Sequence, residues 1–311
     1  MLTLGLDTSN YTTSAAVFDG AGGVNAGRLL EVKPGELGLR QSEALFQHVK
    51  ALPGRIAELK EAGVLENIEA VAASTRPRAV EGSYMPCFLA GEGQGRVLAD
   101  VLGVPFFAVS HQQGHLAAAA WSAGSMELLD APFLAWHLSG GTTELLRVDP
   151  EGVNVRAVCI GGTSDISAGQ LIDRTGVLLG LQFPAGKAVD TLSKEAETPL
   201  KPFKVKVQEN LTFSLSGMEN KVKQLLEQGT EPAVVARFAL DIMSDVVRRT
   251  TLAALKQYPG LPVLCSGGVA SNSRLREVMT RCCGAIFAEP RYSTDNAMGV
   301  AILAHRLLSA H

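Results

Sequence analysis

Two histidines four residues apart, His111 and His115, lie in the run Ser110-His111-Gln112-Gln113-Gly114-His115. On a helix, residues i and i+4 share one face, so both imidazoles can reach one ion. Ser110 suits the cap of such a helix, directly after a predicted strand over Phe106–Val109. The same spacing also fits two hydrogen-bonded histidines at a helix start, and the pair alone does not separate these readings. Zinc peptidases place a Glu after the first His as general base. Here Gln112 stands there, and an amide cannot take the proton, which disfavours peptidase chemistry. Two histidines leave a metal under-coordinated, and a carboxylate is the natural third donor. Asp295, in Ser293-Thr294-Asp295-Asn296 ahead of the apolar stretch Ala297–Leu308, is the candidate; it also suits a plain helix cap. A His₂Asp set accommodates iron or zinc.

A second group of residues could grip phosphate. In Ser139-Gly140-Gly141-Thr142-Thr143 the glycines let the backbone approach an anion, and N–H groups and hydroxyls can donate to its oxygens. Ser266-Gly267-Gly268 is a similar turn. It leads into Asn272 and Ser273, either of which can start a helix whose N-terminus favours anions. Either turn alone reads as an ordinary hairpin; together they are a stronger signal. Asp173, on a predicted helix, could accept hydrogen bonds from ribose hydroxyls, and Gly186 after Pro184 suits a turn close to a ligand.

The elements that position these groups recur. Leu2–Leu6 reads as a strand, followed by the polar turn Asp7-Thr8-Ser9-Asn10 and a second strand over Ala15–Phe18. Phe133–Leu138, the turn at 139–143 and Glu144–Val148 repeat that pattern. Each half then has a further strand ending in small polar residues, Glu69–Ser74 and Pro262–Ser266, with helices predicted over Ser42–Lys60 and Ala233–Tyr258. This predicts an α/β protein with the duplicated actin/Hsp70/sugar-kinase (ASKHA) fold, two lobes with nucleotide in the cleft. The expected boundaries are 1–130 and 131–295, with a C-terminal helix over 296–309 packing back on the first lobe. No GxGxxG follows the first strand and no Walker-A lysine motif is present, which argues against a dinucleotide enzyme and a P-loop.

Composition agrees with a large core. The chain has 311 residues, 46% hydrophobic and 19% charged, and 32 glycines gathered in turns between apolar runs. Its net charge of −3 does not make the whole surface a polyanion binder, so any nucleic acid needs a local patch or a partner protein. Five cysteines, an odd number without a CxxC spacing, argue against a disulfide framework and against a Cys-rich zinc site. Cys159 and Cys265 lie in apolar strands and are expected to be core thiols. No signal peptide or membrane span is read, which points to the cytoplasm.

Taken in order, the motifs resemble one family. They are HxxxH, the Ser-Gly-Gly turn, Asp165-x₃-Gly169-x₃-Asp173, Leu178-Leu179-Gly180-Leu181-x-x-Pro184-x-Gly186, Phe213-Ser214-Leu215-Ser216-Gly217, 266–276 and Thr294-Asp295-Asn296. The ordered set resembles the TsaD family of tRNA threonylcarbamoyltransferases, once labelled glycoproteases, from Leu2 to near the C-terminus. The resemblance implies the actin-like ATPase fold. It implies transfer of a threonylcarbamoyl group from threonylcarbamoyl-adenylate to N6 of the adenosine next to certain tRNA anticodons. It further implies that His111, His115 and Asp295 hold iron or zinc, which binds phosphate or carbamoyl oxygens as a Lewis acid. His137, Leu138, Ser139, Gly140, Gly141, Asp173, Gly186 and Asn272 would contact the nucleotide, ATP or the carbamoyl-adenylate. The expected partners are tRNA and helper proteins, including a shorter paralogue of the same fold, or a second copy of the chain.

The chain departs from the family pattern around the reaction. Tyr11 and Thr12 replace two acidic residues, Thr142 replaces a histidine, Arg76-Pro77-Arg78 replaces Gly-Pro-Gly, and Glu219 replaces a lysine. These departures also fit a nucleotide- and metal-binding paralogue acting as a regulatory or assembly subunit, or a carbamoyl transferase with another acceptor. Lys201, Lys204 and Lys206, with Arg76 and Arg78, form the candidate tRNA patch.

Overall fold

The computed structural model describes residues 1–9, 11–32 and 39–310. Asn10 of the first polar turn therefore lies outside the described residues. In chain order the elements are β1 (Leu2–Thr8), β2 (Thr12–Phe18), β3 (Gly23–Leu29), α1 (Gln41–Glu61), β4 (Ile68–Arg76), α2 (Leu89–Leu102), β5 (Phe106–Ser110) and α3 (His111–Ser122). They continue with β6 (Phe133–Leu138), β7 (Thr143–Glu151), β8 (Asn154–Thr163), α4 (Ala168–Leu178), α5 (Gly186–Ser193), β9 (Thr212–Phe213) and α6 (Ser216–Glu227). The last are α7 (Pro232–Gln257), β10 (Val263–Ser266), α8 (Ser273–Cys283), β11 (Ile286–Phe287) and α9 (Met298–Ser309). Two compact units result. The first comprises Met1–Ala131, Asp149–Ala157 and Thr294–His311, and the second Pro132–Val148 and Val158–Ser293.

The first unit is built on the sheet β3-β2-β1-β4-β5. β1 pairs antiparallel with β2 and parallel with β4, and β4 pairs parallel with β5. Successive strand residues point to opposite faces. Leu4 and Leu6 therefore enter one core with Leu52 and Leu59 of α1. Thr3, Gly5 and Asp7 face the other way, where Thr3 Oγ1 donates to Ala301 O of α9 at 2.8 Å. α9 packs on β1, β2 and β4, and against α3.

The second unit is built on the sheet β11-β10-β6-β7-β8-β9. Read from β8, its order β8-β7-β6-β10-β11 repeats that of the first sheet position by position. As β1 does with β2 and β4, β6 pairs antiparallel with β7 and parallel with β10, and β10 pairs parallel with β11 as β4 does with β5. The duplicated α/β architecture expected from the two strand pairs is present, with a third strand completing each meander. Its core gathers Leu134, Trp136 and Leu138 of β6 with Leu240, Met243, Val246 and Val247 of α7. The indole of Trp136 donates to Thr251 Oγ1 at 2.8 Å, which satisfies its one polar atom inside that core. α7 starts with Pro232 at its first turn, where a missing N–H costs nothing.

One cysteine differs from expectation. Cys265 is buried on β10, whereas Cys159 on β8 is exposed. Among the described residues no helix is long and apolar enough to cross a membrane.

Candidate metal centre and nucleotide turn

The metal candidates converge within the first unit. Ser110 caps α3 with a capping box, its hydroxyl accepting from Gln113 N while the Gln113 side chain accepts from Ser110 N. Gln113 Nε2 also donates to Val155 O at 2.7 Å, which fixes the first turn of α3 from its far side. His111 and His115 then project from one face, with their Nε2 atoms 2.9 Å apart. Asp295 arrives from the segment before α9, its Oδ1 lying 3.2 Å from His115 Nε2 and 3.5 Å from His111 Nε2.

Asp295 does not cap α9. That work is done by Asn296 Oδ1, which accepts from Met298 N at 3.1 Å, and by Asn25 Oδ1, which accepts from Ala297 N. The Asp295 carboxylate is thus turned to the imidazoles. One ligand atom from each of the three residues lies within 4.8 Å of the others. Two imidazole nitrogens and a carboxylate oxygen at these separations fit a single ion of the iron–zinc type, with coordination positions left for a substrate.

A close helix crossing sets this convergence. A Cβ added to Gly299 would stand 1.8 Å from Gly114 O, so only glycine lets α9 lie this close to α3. The crossing falls between the two histidines on α3 and just after Asp295 on the chain.

Behind the cluster lies Asp7, buried at the end of β1. Its Oδ2 is 2.9 Å from His111 Nδ1, and its Oδ1 accepts from Ser74 Oγ. A carboxylate on the back nitrogen holds the imidazole in the tautomer that presents Nε2 forward. Burial alone would depress the His111 pKa. The carboxylates of Asp7 and Asp295 overcome that and raise it to about 10. Burial would likewise raise the Asp295 pKa, but its bonds to His111 and His115 hold it well below the usual carboxylate range. Such a pair of carboxylates around an imidazole is a site for positive charge.

The nucleotide candidates lie in the second unit. The turn after β6 is closed by Ser139 N to Thr142 O at 2.8 Å and by Thr142 N to Ser139 Oγ at 3.0 Å. Neither bond uses the N–H of Gly140 or Gly141, and both glycines are exposed. The start of α4 is pressed against this turn: Ser167 Oγ donates to Gly140 O at 2.6 Å, and Ala168 N to Thr143 Oγ1 at 2.8 Å. Gly267, at φ +92°, lies so close to β6 that a Cβ would meet Leu138 O at 2.1 Å. The two Gly-Gly turns are thereby brought to one end of the second sheet.

The other candidates are placed less uniformly. His137 is half-buried on β6, opposite Glu144 in the register. Leu138 is wholly buried, so it can meet a ligand only through its backbone. Asp173 uses one carboxylate oxygen to accept from Ala185 N at 2.8 Å, which ties it to Gly186 at the start of α5. Asn272 caps α8, accepting from Leu275 N at 3.0 Å and donating through Nδ2 to Asp190 at 2.9 Å. Asp190 also accepts from Ser273 N and Oγ. The start of α8, which reads as an anion site, thus already holds a carboxylate of the protein itself. Arg76 and Arg78 belong to the first unit and Lys201, Lys204 and Lys206 to the second. Glu219 is paired with Arg174 and Lys223. Asp7 and Asp190 are the polar residues that pattern reading passed over. Their signal is an acid at the end of a buried strand and one facing a helix start, and both need tertiary placement to be recognised.

The fold is shared with solved proteins of low sequence identity. It resembles (R)-2-hydroxyglutaryl-CoA dehydratase component A of Acidaminococcus fermentans, with TM-score 0.54, 15% identity and 100% of both chains covered. It also resembles full-length HypF in the phosphate- and nucleotide-bound form, with TM-score 0.63 and 14% identity over 98% of this chain and 46% of that one. The chain therefore has the actin-like (ASKHA) fold and carries three convergent metal-capable side chains. Within that class, the family profile described as "TsaD: tRNA N6-adenosine threonylcarbamoyltransferase" matches residues 34–302. Curated proteins of that name are similar along nearly the whole chain. One from Thermus thermophilus is 34% identical over 98% of this chain and 93% of its own, and one from Granulibacter bethesdensis is 31% identical over 96% and 86%. The chain belongs to the TsaD family.

Proposed function

We propose that this protein is an acyltransferase that moves a threonylcarbamoyl group from threonylcarbamoyl-adenylate to N6 of adenosine in tRNA. The observation that carries the reading is the convergence of His111, His115 and Asp295, backed by Asp7, in a chain of this family. These three residues would hold one divalent ion, iron or zinc. When bound, that ion supplies Lewis acidity toward carbamoyl or phosphate oxygens. Asp7 keeps His111 Nε2 directed at the ion and adds negative charge behind it. Gly140 and Gly141 offer exposed backbone N–H groups to a phosphate. The second oxygen of Asp173 is available to a ribose hydroxyl beside Gly186. Asn272, whose amide is already bonded at both ends, acts by holding α8 to Asp190. ATP would occupy the same turn when the carbamoyl-adenylate is absent. tRNA is the macromolecular substrate, a shorter same-fold paralogue or a second copy is the assembly partner, and the cytoplasm is where they meet.

The test is direct. Purified protein, with its partners, threonylcarbamoyl-adenylate and unmodified tRNA, is expected to yield threonylcarbamoyladenosine by nucleoside mass spectrometry, and His111→Ala to abolish it. Normal metal binding without any modified nucleoside would overturn the reading. A second reading, a regulatory subunit or a transferase with another acceptor, is favoured by Glu219, which holds Arg174 and Lys223 where the family pattern has a lysine. Efficient turnover of the carbamoyl-adenylate on tRNA removes it.

A further inference from the structure

α7 and α8 pack against each other in the second unit and enclose a pocket of about 370 Å³. Its lining includes Arg248, Arg274 and Arg281, together with Asp241, Asp245 and Cys282. The carboxylates here are fully engaged. Asp241, which is buried, accepts from Arg237 Nε through Oδ2 and from Arg274 Nε through Oδ1. Asp245 accepts from Arg248 through Oδ1 at 2.7 Å and from Arg249 through Oδ2 at 2.8 Å. Glu277 is shared between Arg274 and Arg281. All six carboxylate oxygens are bonded, and five guanidiniums surround them. Each guanidinium carries five N–H donors in a rigid fork. The network therefore pairs its arginines with carboxylates while leaving donors to spare and a net positive charge.

A basic stretch from the sequence runs into the same place. Pro202 lines the pocket, and Val205 is buried with its carbonyl accepting from Arg249. Lys201, Lys204 and Lys206 flank these two anchors and are all exposed. Exposed lysines flanking a segment that lines the pocket, beside arginines paired to carboxylates, match a chain of phosphodiesters better than a single small anion, because several separated charges need several phosphates.

We infer that the α7–α8 pocket, with the segment from Lys201 to Lys206, is an RNA-backbone binding surface that takes phosphodiester groups of the tRNA. This rests on the proposed function for the identity of the RNA. Binding is measured on the whole protein with unmodified tRNA across a salt series, and the fold of each variant is checked by circular dichroism. R248A/R281A is expected to weaken binding about tenfold and to lower the slope of log K against log salt by about two, one unit per lost phosphate contact. K204E/K206E, altering only exposed side chains, is expected to weaken binding likewise. tRNA is expected to slow iodoacetamide alkylation of Cys282 more than inorganic phosphate does at equal phosphate concentration. Unchanged affinity and slope in both variants would overturn the inference. So would protection of Cys282 by phosphate but not tRNA, which marks a small-anion site, or no tRNA binding by the wild-type chain at low salt. If these residues bind tRNA but no modified nucleoside forms, the proposed reaction fails and the surface stands. If modification proceeds and the variants bind normally, the reverse holds.

Discussion

At the scale of single residues, Asp7 and Asp165 show how a carboxylate fixes a neighbour it was not obviously meant for. Asp7 contributes no ligand atom to the cluster, yet it decides which nitrogen of His111 faces Asp295. Asp7→Asn keeps the volume but offers an uncharged amide to Nδ1. It is expected to lower metal affinity by about 10- to 100-fold while leaving the fold intact, measured by competition against a chelator. Asp165 performs a structural task. Its carboxylate accepts from Ser214 Oγ, from Leu215 N at 2.8 Å and from Ser216 N at 3.3 Å, closing the start of α6. Burial would raise its pKa, but these bonds bring it down to about 2. A folded pKa below the ordinary value of 3.8 means stabilisation that is complete above about pH 4 and lost as pH falls toward 2. Asp165→Asn is therefore expected to cost about 1 kcal/mol near neutral pH, as loss of a helix cap does. The difference from wild type should vanish in urea titrations near pH 2.

At the scale of elements, the crossing of α3 and α9 governs the candidate centre. The two glycines at the contact are not equivalent. A Cβ on Gly299 would strike Gly114 O at 1.8 Å, a backbone atom that cannot rotate away, whereas one on Gly114 would meet Val300 Cγ2 at 3.3 Å. Gly299→Ala is expected to destabilise the protein by about 1–3 kcal/mol, the usual cost of overpacking, and to weaken metal binding by moving Asp295 from the histidines. Gly114→Ala is expected to do markedly less of both, because a methyl group can shift. Denaturant unfolding and metal titration on the two variants check the contrast.

At the scale of the whole molecule, the two units divide the candidate binding groups. All three metal-capable side chains and Asp7 belong to the first, while the Gly-Gly turns, Asp173 and Gly186 belong to the second. A ligand that binds only the folded form stabilises what it touches, by about 2.7 kcal/mol at a hundredfold excess over Kd. Metal is therefore expected to slow amide hydrogen exchange in α3, β1 and the start of α9, and adenine nucleotide in the β6–β7 turn and the start of α4. Equal protection of both units by metal alone would contradict this division.

The local patterns legible in the sequence were those with short range. Strand alternation, the capped start of α3 and the Gly-Gly turns depend on neighbours within a few residues, and they predicted β1, β2, β6, β7 and the long helices to within a few positions. The HxxxH spacing likewise determined that His111 and His115 would share a face. Other properties depended on contacts that no local pattern records. Cys159 lies in an apolar run but is exposed, because an apolar run does not record which face of its strand the rest of the chain covers. Asn272 and the start of α8, which offered an anion site, are occupied by Asp190 from α5. Asp295 read equally well as a helix cap or a ligand. Only the close approach of α9 to α3, and the transfer of the capping work to Asn296 and Asn25, turned its carboxylate toward the histidines. The sequence supplied the donors; tertiary packing brought residues 111, 115 and 295 within reach of one ion, because a site assembled across that chain separation exists only once the helices have docked.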